Sequence, residues 1–411
     1  MAALGKYSFG VGDRFGKEGK AQLQAILKVW DEGVEVTPVW NKSNREHETV
    51  GSHPESLRKE ADEAIKALGF TGAYFVDADH INLQTVEEFI PFSDFFTIDV
   101  AGFIGQKASE KEEEDFLQFF KSYMGDIAIP GIERKMQISK SHLREMLDSF
   151  LLASQKAGEI YKHIRSKKAE EFHVEVSIDE VENPQSPLEL FFILAALAFY
   201  KVPVNTIAPK FSGEFNKGVD YEGDLEKFEQ EFEEDLLVLK FAVKEFEFPQ
   251  NLKLSVHSGS DKFSIYPVIQ KLIRKHDAGL HLKTAGTTWL EELIGIAESE
   301  GDGFRFAKEL YAESLERYEE LTKDYASVLS IDKQKLPVVG DFSTGKDFAD
   351  ALRHEATSAA YNPHFRQLLH CAYKIAAEKE DFSQLLEKFR SRIEENVTLN
   401  LYERHLKEIF L

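Results

Sequence analysis

Ionisable and metal-ligating residues recur at the ends of short β-rich segments in this 411-residue chain. One segment reads Val76-Asp77-Ala78-Asp79-His80, and the next ends Thr97-Ile98-Asp99. Later come His173-Val174-Glu175-Val176-Ser177, Ser255-Val256-His257 and His281-Leu282-Lys283-Thr284. Side chains along a strand alternate between its two faces, so each polar set falls on one face and the aliphatics on the other. Burying so many charges is costly without a ligand, an ion or a hydrogen-bond network. Interior ion pairing, such as Lys283 with Glu175, would answer part of that cost. Five segments with ionisable residues at corresponding ends favour a chemical site instead.

His80 and His257 are the first candidates for metal ligands. Imidazole and carboxylate donors suit zinc, manganese or cobalt, with one coordination position left open for substrate. A third ligand is expected from the loop Ala208-Pro209-Lys210-Phe211-Ser212-Gly213-Glu214-Phe215, where Glu214 is the nearby carboxylate and Gly213 permits an unusual turn. His281 is the rival for that place, two residues deeper than Lys283. Asp79 stands beside His80, where a general base belongs. Glu175 could be the complementary acid, because two carboxyl groups in different surroundings can titrate apart.

These residues need a scaffold that brings strand ends together. Eight β-rich segments appear in order, at Tyr7–Gly10, Glu35–Val39, Ala73–Asp77, Phe95–Asp99, Phe172–Ser177, Val204–Ala208, Leu252–His257 and Leu280–Thr284. Helical periodicity fills most of the gaps, as in Pro54–Leu68, Leu188–Tyr200 and Leu225–Lys244. Alternating strands and helices argue for a parallel sheet, and eight such units for closure into a (β/α)8 barrel with its chemistry at the carboxyl ends of the strands. The long connection from Ala101 to Glu171 reads as an insertion that could cover the site. It holds an acidic helix (Glu110–Tyr123), a Pro130-Gly131 break and a longer helix (Lys140–Ser166). Residues 1–330 are read as the catalytic barrel and 331–411 as a helical extension packed on it.

The net charge of -22 speaks against nucleic acid and anionic membrane surfaces as partners. The longest apolar run, Leu188 to Tyr200, is too short to span a bilayer. Cys371 is the lone cysteine, so no internal disulfide is possible, and no apolar leader follows Met1. The cytoplasm is the expected compartment. Gly10-Val11-Gly12-Asp13-Arg14-Phe15-Gly16 misplaces the third glycine of a dinucleotide fingerprint. Gly340 to Asp347 misses the Ser or Thr of a phosphate loop and reads as a helix start. The basic groups Arg353, His354, His364, Arg366 and His370 lie on helices, and one of them is expected to lean over the barrel mouth.

The pieces VDADH, HVEVSIDEVE, KFSGEF, HSGSDKFSIYP and HLKTAGT, with YSFGVGDRFG near the start and YNPHFRQLLH near the end, resemble the tagaturonate epimerase family. More distantly, Asp79-His80, His257-Ser258-Gly259-Ser260 and Lys283 resemble the metal-dependent (class II) aldolases, which carry a histidine where this chain offers Glu214. The first resemblance implies inversion at C4 of a keto sugar acid, tagaturonate or fructuronate, or of a neutral ketohexose such as tagatose or fructose. C4 lies β to the ketone, so the carbonyl does not acidify its hydrogen. Retro-aldol cleavage of C3–C4, rotation and re-addition then accounts for inversion without a nicotinamide. The resemblance further implies a divalent cation, with zinc placed first and manganese, cobalt or nickel as alternatives. It makes Asp79 the base toward the C4 hydroxyl. Lys210, Ser258, Asp261 and Lys283 would orient hydroxyls or a carboxylate. A metal-dependent aldolase that releases its fragments is the alternative reading.

Overall fold

In a computed structural model, which describes residues 3–179, 181–284 and 286–411, eight parallel strands close into a barrel. They are β1 (Tyr7–Val11), β2 (Val36–Ser43), β3 (Phe75–Ile81), β4 (Phe95–Asp99), β5 (His173–Ser177), β6 (Thr206–Ala208), β7 (Lys253–His257) and β8 (Leu280–Lys283). Each expected strand is present within a few residues, and β8 pairs with β1 to seal the sheet through Ser8↔His281 and Gly10↔Lys283. The ring follows sequence order, β1 through β8.

The outward-facing residues of the strands, among them Phe9, Val76, Ile98, Val174, Leu254 and Leu282, belong to one apolar core shared with the surrounding helices. On the inward parity, Leu4, Val39, Phe75 and Phe95 form a separate apolar cluster. Nearer the strand ends the inward residues are polar and buried: Ser8, Asp77, Thr97, Glu175, Thr206, Ser255, His281 and Lys283. The barrel thus has an apolar floor and a charged upper layer. Gly10 is needed in that layer, since a Cβ there would come 2.7 Å from Lys283 Cγ.

The helix Pro187–Phe199 is capped by Ser186 with Glu189 and is buried along nearly all its length, as its unbroken apolar run requires. The insertion after β4 contains the helices Glu110–Phe120 and Leu152–Lys167, and also an antiparallel ribbon, Gly125–Ile127 with Met136–Ile138. The ribbon falls around the Pro130-Gly131 break and is too short to show a strand period. Arg134 pairs with Glu234 at 2.7 Å, and Tyr200 donates to Glu112 at 3.0 Å. These contacts are with the outer helix layer.

Beyond β8 the chain is helical, in more and shorter pieces than the sequence suggests. Glu300, in the left-handed region, separates Thr287–Glu298 from Gly301–Glu316. Thr344 and Asp347 form a capping box that starts Gly345–Leu352, so the phosphate-loop look-alike is a helix start. Thr287–Glu298, the helix after β8, is buried on almost every side, because the helices Gly345–Leu352 and Arg390–Leu399 pack over it. The extension is pinned to the barrel by Asp261, in the loop after β7. Its carboxylate accepts from Arg366 Nη2 at 2.7 Å and from Thr287 Oγ1 at 2.9 Å, and lies 3.1 Å from His354 Nδ1 and 3.2 Å from His405 Nε2. Among the described residues no helix is long and apolar enough to cross a membrane.

Two stability predictions follow from buried charge. Arg366→Met leaves Asp261 without its cation and should cost about 3–5 kcal/mol, read as a lowered midpoint in urea unfolding. The second concerns Glu18, Glu60 and Glu292, which are buried near Asp13. Burial and the Asp13 charge push Glu18 up to about 8, and Glu60 and Glu292 well above the ordinary carboxyl range. The folded chain therefore holds protons that the unfolded chain releases near pH 4.3. Their stabilisation is complete below that value and is lost as pH rises through about 8. Urea midpoints should fall between pH 7 and pH 9, and Glu18→Gln should flatten part of that fall.

Candidate active site at the carboxyl ends of the strands

Lys283 occupies the centre of the charged layer. Its Nζ donates to Asp77 Oδ2 at 2.7 Å, Asp79 Oδ1 at 2.9 Å and Thr97 Oγ1 at 2.6 Å. It also lies 2.9 Å from Glu175 Oε1, so the interior pairing of Lys283 with Glu175 is present. Burial disfavours the ammonium, but the three carboxylates outweigh it and hold Lys283 well above its ordinary value. Thr97 Oγ1 passes its own proton toward Asp77 at 2.8 Å.

The carboxyl groups around this lysine titrate apart. Burial raises Asp77 to about 6 against the pull of Lys283, with Asp79 and Glu175 adding to the rise. Burial also works against Asp79 and Glu175, yet Lys283 with His80 keeps Asp79 well below the usual range. Lys283 with His257 does the same for Glu175. Glu175 is fully buried and accepts from Thr206 Oγ1 at 2.5 Å, with His257 Nε2 at 2.7 Å. Its electrostatics are those of a permanent carboxylate, and the carboxyl nearest to neutral titration is Asp77.

Strand alternation alone would send Asp79 and His80 to opposite faces. The backbone breaks that alternation: His80 sits in the left-handed region at φ 52°, where the β3–β4 register shifts between Ala78 and Ile81. His80 Nδ1 is 3.0 Å from Asp79 Oδ1, and its ring centroid is 5.2 Å from that of His257. A non-glycine residue at positive φ is uncommon, and such residues gather at functional sites.

Asp179 completes the group. One potential ligand atom from each of His80, Asp179 and His257 lies within 4.8 Å of the others. Asp179 Oδ2 is 3.1 Å from His257 Nδ1, and that nitrogen is buried without a hydrogen bond of good geometry. Burial disfavours charge on both imidazoles. Asp79 and then Asp179 nevertheless lift His80 to about 10, and Asp179 with Glu175 lifts His257 to about 9.

Several expected residues stand elsewhere. Glu214 is exposed, its backbone paired with Glu222 across a small bridge, and it is not in the His80–Asp179–His257 group. Gly213 does take the unusual turn, at φ 85°. His281 is deeper, fully buried, 2.8 Å from Ser8 Oγ, and pushed down to about 3 by burial. Ser258 is buried and donates from both N and Oγ to the Lys283 carbonyl, which ties β7 to β8. Asp261 is spent on Arg366 and two histidines, and Arg353 pairs with Glu298 at 2.6 Å. Lys210 is half-buried, with its backbone N–H given to Gln185 Oε1. Of the basic groups on the extension, His370 comes nearest the β8 rim, since a Cβ on Gly286 would meet its Cε1 at 2.5 Å.

Asp77 and Thr97, marked from sequence as polar strand-end residues without a role, are partners of Lys283, and Asp179 joins the site unmarked. Parity was the available signal for Asp179: Glu175, Ser177 and Asp179 continue one inward series past the end of β5.

The profile of the tagaturonate epimerase family matches residues 2–409. The tagaturonate/fructuronate epimerase of Thermotoga maritima is 29% identical over 418 residues, covering 97% of this chain and 80% of that protein. A glycerol-complexed crystal structure of the fructuronate-tagaturonate epimerase of Cohnella laeviribosi is similar with a TM-score of 0.81 at 23% identity, covering 100% of this chain and 83% of that one. The native crystal structure of the same protein gives 0.80 at 23% identity, over 99% and 82%. Those two likenesses carry the fold, and the profile carries the family. Matched over nearly its whole length, the chain belongs to the tagaturonate epimerase family and is an epimerase of the isomerase class.

Proposed function

We propose that this chain interconverts tagaturonate and fructuronate by breaking and re-forming the C3–C4 bond at the mouth of the barrel, with His80, Asp179 and His257 as ligands of a divalent cation. The convergence of those three side chains is the observation that carries the reading. The donor set fits such an ion in type, two imidazoles and a carboxylate. It also fits in charge. Asp77, Asp79 and Glu175 surround one lysine, Asp179 adds a fourth carboxylate beside His257, and protons on His80 and His257 balance that excess of negative charge. His257 Nδ1 is buried 3.1 Å from Asp179 Oδ2 without a hydrogen bond of good geometry, which leaves that nitrogen suited to ligation. A divalent cation bound there supplies Lewis-acid stabilisation of negative charge on the substrate, zinc being the first candidate and manganese, cobalt or nickel the others.

The remaining work falls to the chain's own residues. Of the three carboxylates that contact Lys283, Asp79 is the one that reaches the mouth, its side chain 13% exposed against 0% for Asp77 and Glu175. It accepts the C4 hydroxyl proton as the bond breaks and returns it once the aldehyde has turned its other face. Lys283, 2.9 Å away, keeps Asp79 ionised and in place. Glu175 orients His257 through the 2.7 Å contact to Nε2, and the ionised state of Glu175 suits that task better than proton donation. Lys210, half-buried on the β6 loop, is the cation assigned to a substrate carboxylate.

The hydrogen on C4 stays on its carbon throughout this route. Epimerisation in deuterated water should therefore leave C4 unlabelled by NMR, while deuterium at C4 would replace the proposal with proton abstraction. Incubation with fructuronate and with fructose, before and after chelation, tests substrate and cation together. We expect the C4 epimer from fructuronate, loss of turnover on chelation, recovery with added zinc or manganese, and no net release of three-carbon fragments. Fragment release would make the chain an aldolase.

Side-chain substitutions separate the roles. Asp79→Asn should lower kcat by about 10²–10⁴-fold with metal content unchanged. Asp179→Asn should lower metal affinity, while Glu214→Gln should leave it intact, both read by elemental analysis after dialysis. The reverse pattern would return the third ligand to Glu214.

A further inference from the structure

We infer a second binding site, for a small hydroxylated oxyanion, in a cavity beside the barrel mouth. The cavity has a volume of about 440 Å³ and lies between the β1 and β2 rim and the helices Tyr373–Ala377 and Phe382–Lys388. That volume suits a ligand of monosaccharide size. None of His80, Glu175, Asp179, His257 and Lys283 lines it.

Charge marks this cavity out. In a chain of net charge -22, five cationic residues line it: Arg14, Lys17, Lys42, Lys59, which lies 3.8 Å from Glu63, and Lys379, which also pairs with Glu313 at 2.5 Å. Three carboxyl groups, Glu60, Glu63 and Glu380, share the lining. Burial pushes Glu60 toward its neutral form, which widens the positive excess.

Arg14 is the built part of the site. It is 6% exposed, and its guanidinium lies 4.1 Å over the ring of Tyr373. Nε is 3.5 Å from Glu46 Oε1, and Nη2 is 3.4 Å from His370 Nε2. Yet neither Nε nor Nη1 has a hydrogen-bond partner. Glu46 offsets part of the cost of burying this charge, the unpaired N–H groups leave the rest, and a planar fork of this kind matches a carboxylate or phosphate edge. Lys42, 3% exposed, donates to the Arg14 carbonyl and so fixes the loop that carries the fork. Ser52, Ser56 and Ser383 also line the cavity, with Phe15 and Phe382; Ser52 Oγ pairs with His47 and Ser56 Oγ donates to the His53 carbonyl. Together these groups would hold an oxyanion at one end of a molecule and hydroxyls at the other. A sugar carboxylate and a sugar phosphate share that chemistry.

Calorimetric titration of the full chain with glucuronate, inorganic phosphate and glucose tests the site. At least one anion should bind saturably and glucose should not; the tighter anion identifies the oxyanion. Arg14→Gln should weaken that binding by about tenfold or more. The double variant Lys59→Gln/Lys379→Gln changes rim side chains only, so it decides the matter even if Arg14→Gln fails to fold, and it should weaken binding by about threefold or more. His257→Ala, which disrupts the other site, should change it by less than about twofold. Absence of saturable anion binding, glucose binding as well as the anions, or binding lost in His257→Ala but untouched in the lysine double variant would overturn the inference.

Discussion

One buried ammonium sets the terms for the upper half of this barrel. A closed sheet excludes water from its interior, so each inward carboxylate must find its counter-charge inside. Lys283 meets Asp77, Asp79 and Glu175 at 2.7–2.9 Å. It comes from β8 and reaches partners on β3 and β5, so it spans the barrel and couples strands that are not neighbours in the sheet. The floor of Val39, Phe75 and Phe95 closes off escape below, and Gly10 leaves room for the lysine stem. Lys283 therefore acts as structural brace and as the setter of proton affinity together. Its charge keeps Asp79 and Glu175 ionised, while burial holds Asp77 near 6.

The group at the mouth needs more than charge balance. A regular strand cannot aim two successive side chains into the same space. The positive φ at His80 and the register shift beside it do so at a local cost of roughly 1–3 kcal/mol. Strain of that size persists only where surrounding contacts fix the backbone, and the neighbouring β2–β3 pairing runs in register through Ser43↔Asp79. The result brings the rings of His80 and His257 to a 5.2 Å centroid separation.

Much of this was legible in the sequence because strands buried on both faces leave a sharp signature. Short β-rich runs gave all eight strands, and an ionisable residue among aliphatics marked the inward parity. The same parity led to Lys283 and Glu175. It stopped being read at Ser177, where the β-rich run ends, although Ile178 and Asp179 carry the alternation on into the loop. Glu214 looked attractive because it was the carboxylate near the β6 end, but linear proximity to a strand end does not determine where a loop turns. Gly213 takes that loop outward into the bridge with Glu222. The pairing of Asp261 with Arg366 was beyond sequence reasoning for a different reason. They are 105 residues apart, and nothing local in either segment announces the other. The helical extension likewise shows its periodicity but not its breaks, such as the positive φ at Glu300.

The extension makes the barrel's asymmetry intelligible. The helix after β8, Thr287–Glu298, is apolar enough to need cover on its outer side as well as its inner one, and the C-terminal helices provide that cover. Once docked, they also bring Tyr373 under Arg14 and His370 against the β8 rim. Asp261 holds this arrangement from the barrel side, in the loop that directly follows His257. A residue in the loop after β7 thus ties the extension down while another in the same loop region, His257, faces the mouth. Changes in the docking of the extension would therefore be transmitted first to the β7 loop, which positions one of the two imidazoles on which the proposed chemistry relies.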